Sequence, residues 1–427
     1  MLITELTPRH TLSRRTGYAV AATLIGVALF ASGVPSALYG TYQQLWGFSP
    51  LVLTLVYATY AFGVLTTLVL AGRLSDAAGR RPVLLGALIG LMAATVLFVL
   101  ADSVTWLFVA RALQGLTTGA LISTASAALL ELHRTRDARA VSLANGVAST
   151  VGTGLGVLVS GALVELLPAA RITPYVVLFA LLAIGFVAVW RMPEPVATRT
   201  RPRLTPQLPR VPAAIRSPFV LAALGAVSSW SIAGLFLSLG SHLSAELFHT
   251  TNHLAAGVGI FALTGSAAVA QLVFRRTAPW SGAAFGSLAL AIGMALLVVA
   301  AATDSAIWYL AGTVIGGSGF GVAFLGGLRA LTAVIPAEHR AAVMSAFYIV
   351  AYAAISLPAI AGGTVAGFVG VRPTFEIFGS AAAIVALIVA YLATRTRPSP
   401  RTSPFPTRHL QPADNYRAAL MPPTIQR

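Results

Sequence analysis

The chain has 427 residues, of which 57% are hydrophobic and 9% charged, with a mean hydropathy of +0.83. Soluble proteins carry about 25% charged residues, so composition excludes an ordinary soluble enzyme, a disordered chain and a coiled coil. Cysteine is absent, which removes disulfides, thiol catalysis and cysteine metal sites; all 28 basic residues are arginine, against 12 acids, for a net charge of +16.

A bilayer-crossing helix needs about 20 mostly apolar residues. Six such stretches lie near 17–39, 51–72, 82–101, 105–130, 140–164 and 173–191, and six more near 218–240, 254–274, 280–302, 306–331, 341–367 and 373–394. The first run, from Gly17 to Tyr39, is too long for the apolar core of a signal peptide and reads as an uncleaved span. The expected organisation is a cytoplasmic N-terminus (1–16), a six-helix bundle (17–192), a cytoplasmic linker rich in proline and arginine (193–217), a second six-helix bundle (218–394) and a disordered cytoplasmic tail (395–427).

Of the 28 arginines, 25 fall on the side of the two termini; Arg171 and Arg372 fall opposite, and Arg111 lies inside a span. This bias is the positive-inside signal. It predicts a multi-pass protein of the plasma membrane with both termini in the cytoplasm. The net charge then reflects orientation and contact with the lipid bilayer, and no nucleic acid is expected as a partner. Asp137–Val141 aligns with Glu338–Ala342 at an offset of 201 residues, each run preceding a span rich in small residues. Together with the six-plus-six count, this points to an internal duplication.

The loop after the second span reads Gly72-Arg73-Leu74-Ser75-Asp76-Ala77-Ala78-Gly79-Arg80-Arg81-Pro82. It resembles the signature loop of the major facilitator superfamily, G-x-L-[SA]-D-[RK]-x-G-[RK]-[RK], departing from it at Ala77. The fold implied is all-α, with twelve transmembrane helices in two pseudo-symmetric six-helix bundles. The resemblance makes Gly72, Asp76, Gly79, Arg80 and Arg81 gating residues that latch the two halves. On physical grounds, Gly79 can take positive φ in a tight turn, and Asp76 can accept charge-assisted hydrogen bonds from nearby arginines.

In the fourth span, Arg111-Ala112-Leu113-Gln114-Gly115 resembles a second motif of that family, R-x-x-x-G, which ties the arginine to proton coupling or to contact with anionic substrate. A charge there is costly, about 2.5–3.5 kcal/mol on insertion scales. Either Arg111 faces the bundle interior with a partner such as Gln114, one turn away, or it snorkels toward the outer interface. Asn145 in the fifth span joins these two as a coupling or substrate candidate. Gly152, Gly156 and Gly161 resemble an antiporter motif of the family, but Val157 and Ser160 replace a proline and a glycine, and plain helix packing explains them equally well. In the eleventh span, Pro358 keeps a proline and is expected to bend the helix.

Acids are scarce within the spans, so the substrate cavity is expected to be neutral and aromatic. Tyr57, Tyr60, Tyr348 and Tyr352 lie deepest, with Tyr39, Trp230, Phe261, Gln271 and Phe324 as further candidates. Such faces suit an apolar or cationic ligand. Glu131 is an end-of-helix acid that could carry a proton. His242, His249 and His253 crowd the loop after the seventh span and read as a solvated outer loop; no metal site is expected, and no cofactor. No GxxxxGK[ST] loop exists, so ATP-driven pumping by this chain is excluded.

The function implied is not enzymatic. It is secondary transport of a small-molecule substrate by alternating access, leaning toward efflux of amphipathic drugs or metabolites, with or without proton coupling. A monomer is the expected unit. Solute uptake or facilitated diffusion stands beside it, as does a non-transporting receptor or regulator that kept the fold.

Overall fold

The computed structural model describes residues 12–71, 74–196, 209–335 and 339–395. The expected tail lies outside the described residues apart from Arg395, as do the central part of the linker and Gly72. The described residues form helices and connecting turns, without strands.

The first half comprises α1 (Arg14–Gly33), α2 (Tyr39–Trp46), α3 (Pro50–Ala71), α4 (Leu74–Ala78), α5 (Arg80–Val99), α6 (Val104–Leu132), α7 (Ala138–Leu166) and α8 (Thr173–Trp190). The second comprises α9 (Arg216–Leu247), α10 (His253–Val273), α11 (Pro279–Thr303), α12 (Ala306–Thr332), α13 (Arg340–Val369) and α14 (Val371–Arg395). Among the described residues, twelve helices are long and apolar enough to cross a membrane: all of these but the short α2 and α4. Their ends fall close to the expected ones, because each apolar run is bounded by arginine, proline or a capping residue such as Ser13, Asp137 or Asn252.

Three departures from the expected boundaries have local causes. α1 gives way to a 3-10 turn, Val34–Ala37, at Pro35, whose missing N–H cannot continue the helical ladder. The chain then re-forms as α2, up to Gly47 in left-handed conformation (φ 63°), where a loop was expected. α9 starts at Arg216 and runs to Leu247, so His242 sits within a helix rather than in a loop.

The packing pattern repeats between the halves. In the first, α1 packs on α6 and α7, α3 on α6, and α5 on α6 and α8. In the second, α9 packs on α12 and α13, α10 on α12, and α11 on α12 and α14. Each pair named in the first half has its counterpart six spans later. The closest approaches repeat as well. A Cβ at Gly115 or Gly119 of α6 would collide with the backbone oxygen of Tyr60 or Val64 in α3. At Gly317 and Gly321 of α12, it would meet that of Leu263 and Ala267 in α10. Lacking a hydrophobic driving force in lipid, helices associate through such close contacts.

Between the halves, α7 packs on α10 and α3 on α13. These two seams are also each other's counterparts under the repeat. Gly161 closes on the backbone of His253, and Gly363 of α13 lies against Thr54 of α3. Gly152 and Gly156 instead seat α7 on Gly26 and Phe30 of α1, so these three predicted packing glycines serve two different neighbours. Pro358 lies inside α13, which runs helical from Arg340 to Val369.

Candidate functional site

Arg111 is 0% exposed, enclosed where α1 breaks. Because Pro35 has no N–H, the carbonyl of Ala31 loses its helical donor, and Gln114 Nε2 supplies one at 2.8 Å. One terminal guanidinium nitrogen donates to the Ser32 carbonyl at 3.1 Å and to Gln114 Oε1 at 2.7 Å. Nε donates to the Tyr39 hydroxyl at 2.9 Å, and the other terminal nitrogen donates to the same oxygen. The guanidinium carbon also lies 5.4 Å from the ring centroid of Tyr39, 5.5 Å from Tyr60 and 5.8 Å from Phe98. The charge is therefore held by oxygens and π faces; among the described residues no carboxylate pairs with it. Arg111 and Gln114 form one unit. Asn145 does not join them: its Oδ1 accepts from Ser126 at 2.9 Å, tying α7 to α6.

Of the four deep tyrosines, two lie on α3 and two on α13, the helices that form one seam. Tyr57 and Tyr60 of α3 are buried, whereas Tyr348 and Tyr352 of α13 are half-buried. Tyr352 is close enough to interact electrostatically with Tyr57, Tyr60 and Tyr348. From α9, Trp230 joins them, its ring 5.2 Å from Tyr352 and 5.3 Å from Phe324. Its indole nitrogen is buried without a partner. Among the described residues no side-chain hydrogen bond occupies the hydroxyls of Tyr57, Tyr348 or Tyr352. The result is an aromatic cluster built from both halves, with one unsatisfied donor. The larger of two described cavities, a groove of about 600 Å³, is elsewhere, lined by apolar residues of α1, α7 and α8 with Leu272. Gln271 packs against Gly146 across the α7–α10 seam, and Phe261 lies near Gly154.

The signature loop forms a compact ionic knot at the arginine-rich end. Gly79 adopts φ 98°, a conformation open to glycine, and precedes α5. Arg80, only 6% exposed, bonds Ser75 Oγ at 2.6 Å and Asp76 Oδ1 at 2.6 Å. It also forms a bidentate pair with Glu131 at the end of α6, at 2.6 and 3.1 Å. The carboxylate of Glu194 accepts from the backbone amides of Arg80 and Arg81 at 2.9 and 3.0 Å, capping α5 where the helix dipole favours an anion. The Arg81 guanidinium sits 5.6 Å from the Trp190 ring centroid. Asp76 has a side chain 57% exposed. Glu131 and Glu194 went unrecognised as partners in the sequence. The available signal was their position, two acids at span ends beside basic loops.

At the opposite end the histidines are placed separately. His249 (φ 48°) faces Asp304 at 3.4 Å, and Asp304 is held by Arg372 at 2.7 Å. His253 opens α10 and faces Glu165 of α7 at 3.3 Å. The reading of all three as a solvated loop is thus corrected for His242, in α9, and for His253, which is paired across the seam. Among the described residues, no group of three or more His, Cys, Asp or Glu is arranged to hold a metal.

A sequence profile described as the Major Facilitator Superfamily matches residues 20–357. An uncharacterized MFS-type transporter of Mycobacterium tuberculosis is 32% identical over 154 residues, covering 35% of this chain and 21% of that one. The major facilitator-type transporter psiT2 of Psilocybe cyanescens is 35% identical over 109 residues, 26% of this chain and 20% of its own. The matched stretch thus spans about a fifth of these relatives' length. The human organic anion transporter MFSD10 superposes with a TM-score of 0.63 at 16% identity, over 89% of this chain and 99% of its own, which shows a shared fold. With most of its spans inside the matched profile, the chain belongs to the Major Facilitator Superfamily.

Proposed function

We propose that this protein carries small molecules across the plasma membrane by alternating access. The two halves, 17–192 and 218–394, rock against each other along the seams α7–α10 and α3–α13, with the arginine-rich loops in the cytoplasm. The observation that carries this reading is the aromatic cluster of Tyr57, Tyr60, Tyr348, Tyr352 and Trp230, contributed by both halves beside one of two repeat-related seams. Rocking changes the access of such a cluster from one side to the other. The description of the relatives as transporters supports the general activity.

The cargo proposed is a small amphipathic drug or metabolite, moved outward by a monomer. Aromatic faces with free hydroxyls and one free indole donor suit an apolar body with few polar groups. Asp76, Arg80 and Glu131 act as the cytoplasmic gate. Arg111 acts as a brace at the α1 break rather than as a substrate contact. Facilitated diffusion, the second reading, is favoured over proton coupling by one observation. Asp102, Glu131, Asp137, Glu165, Glu246 and Asp304 all lie at span ends, and Glu376, six residues into α14, is the most inward of the described acids. Dissipation of a pH gradient in everted vesicles across a panel of amphipathic compounds tests the reading, with the Arg111→Ala variant alongside. A compound that collapses the gradient only with the intact protein supports proton-coupled export. Movement of labelled compound without any pH response supports facilitation.

A further inference from the structure

His253 joins the two halves at the end opposite the arginine-rich loops. Its Nδ1 lies 3.3 Å from Glu165 Oε2, in the last turn of α7, and its backbone N–H donates to the same oxygen at 3.1 Å. Its Nε2 lies 3.2 Å from Thr41 Oγ1 of α2. One imidazole therefore touches two elements of the first half while opening the first turn of a helix in the second. The neighbouring backbones are in direct contact, because Gly161 leaves no side chain between α7 and the start of α10.

The bonds made by a neutral and a charged ring differ. In the neutral ring one nitrogen donates and the other accepts. With the proton on Nδ1, the ring donates to Glu165 and accepts from the Thr41 hydroxyl. A proton taken up from water adds to Nε2, which then donates to Thr41 Oγ1, and the Thr41 proton turns to another acceptor. Both partners accept from the cation, and the contact with Glu165 becomes an ion pair. The contact from the His253 amide to Glu165 persists in either form. The side chains of His253 and Glu165 are each 34% exposed, so the site is open to protons from the aqueous phase.

Of the other charged groups at this end, Asp102 lies in the loop before α6, and Arg171, before α8, is near enough to Tyr42 of α2 to act on it electrostatically. From α9, Glu246 is engaged by Arg372, and His242 lies about 4 Å from where a Cβ on Gly40 would be. Asp304, ahead of α12, is shared by Arg372 and His249. α2 and the 3-10 turn before it contain no charged residue. Glu165 is therefore the carboxylate that answers to His253. Histidine is the side chain type whose charge changes in the range of about pH 5 to 8, through which an ordinary carboxylate is ionised.

We propose that His253 is a proton-binding site whose protonation clamps the two halves together at this end, through Glu165 and Thr41. Taken with the transport reading on which its purpose rests, it closes the outer mouth in response to external protons. The clamp itself requires no substrate, so it is testable without one.

Because the chain has no cysteine, spin labels can be placed at Leu166→Cys and Thr251→Cys, both exposed positions flanking the clamp. The distance distribution between them is measured in detergent, where both ends experience the same pH. The expected result is a ratio of short- to long-distance population that rises about fivefold from pH 8 to 5.5, the size expected of a partly exposed ion pair. The response is lost in His253→Asn and in Glu165→Gln, and reduced in Thr41→Val. An unchanged distribution in the parent protein, or the same pH response in monodisperse His253→Asn, overturns the proposal. A distance that titrates in a protein that moves no compound leaves the clamp standing and refutes transport. Flux with no titrating distance does the reverse.

Discussion

Replacing Arg111 tests whether the guanidinium holds the α1 break together. Arg111→Ala removes the donors to the Ser32 carbonyl, Gln114 Oε1 and the Tyr39 hydroxyl, all in a fully buried site. An orphaned buried acceptor costs about 1–3 kcal/mol. Two of the three, the Ser32 and Gln114 oxygens, cannot turn into donors, so the loss is about 2–6 kcal/mol, partly offset by no longer burying a charge. A net loss of about 3 kcal/mol is expected. For a unit the size of the first half, Arg14–Trp190, each kcal/mol shifts the midpoint by about 2–4 °C, giving roughly 6–12 °C. Arg111→Lys keeps the charge, but its compact ammonium cannot reach both the Tyr39 and the Ser32–Gln114 sides. It should therefore lose about half as much. The assay is the thermal melt of purified protein in detergent, followed by tryptophan fluorescence. A shift under about 2 °C for Arg111→Ala, or a lysine variant worse than the alanine one, refutes the bracing role.

Further predictions follow from the same contacts. Pro35→Ala restores an N–H opposite the Ala31 carbonyl, so Gln114→Ala should cost less in that background than alone; a melting double-mutant cycle reads the coupling, expected at about 1 kcal/mol. Glu131→Gln strips the bidentate partner from the buried Arg80 and should destabilise by about 2–3 kcal/mol, while Asp76→Asn, at an exposed carboxylate, should cost under about 1 kcal/mol yet lower flux. Glu194→Gln weakens the α5 cap by about 0.5–1 kcal/mol in the same melt. Gly156→Leu drives a side chain into the backbone of Phe30 and should abolish accumulation of folded protein in membranes, whereas Gly86→Ala, with nothing within 4 Å of its Cβ, should accumulate normally.

Hydropathy made the spans legible because lipid forces every apolar run of this length into a helix with its own backbone bonds satisfied. In the sequence the repeat was legible as a pentapeptide beside the six-plus-six count of spans; the first residue of its second copy, Glu338, lies outside the described residues. Its firmer trace is the pair of glycines Gly115 and Gly119 matched by Gly317 and Gly321, whose meaning emerges only once their neighbours are known. The sequence pointed to Arg111 and Gln114 as a pair. It did not reveal that Pro35, 79 positions before Gln114 in the chain, leaves the carbonyl that Gln114 serves. Arg80 could be recognised as a motif residue, but its partner Glu131 comes from another span, and spacing carries no information about such pairs. His253 looked like loop polarity for the same reason, because its acid, Glu165, sits 88 residues earlier. The four tyrosines could be singled out as deep, yet only the fold shows that Tyr352 meets Trp230 edge-on and that Trp230 packs against Phe324.

Alternating access requires the two halves to move against each other, and the absence of native cysteine allows that movement to be blocked at will. Thr54→Cys with Gly363→Cys places a disulfide across the α3–α13 seam, where the two positions already touch. The decisive measurement is flux of radiolabelled amphipathic compounds through this variant in proteoliposomes, before and after oxidation. The account predicts flux of at least one compound in the reduced protein, its loss on oxidation and its return with reductant. Flux that continues undiminished through fully cross-linked protein would contradict it.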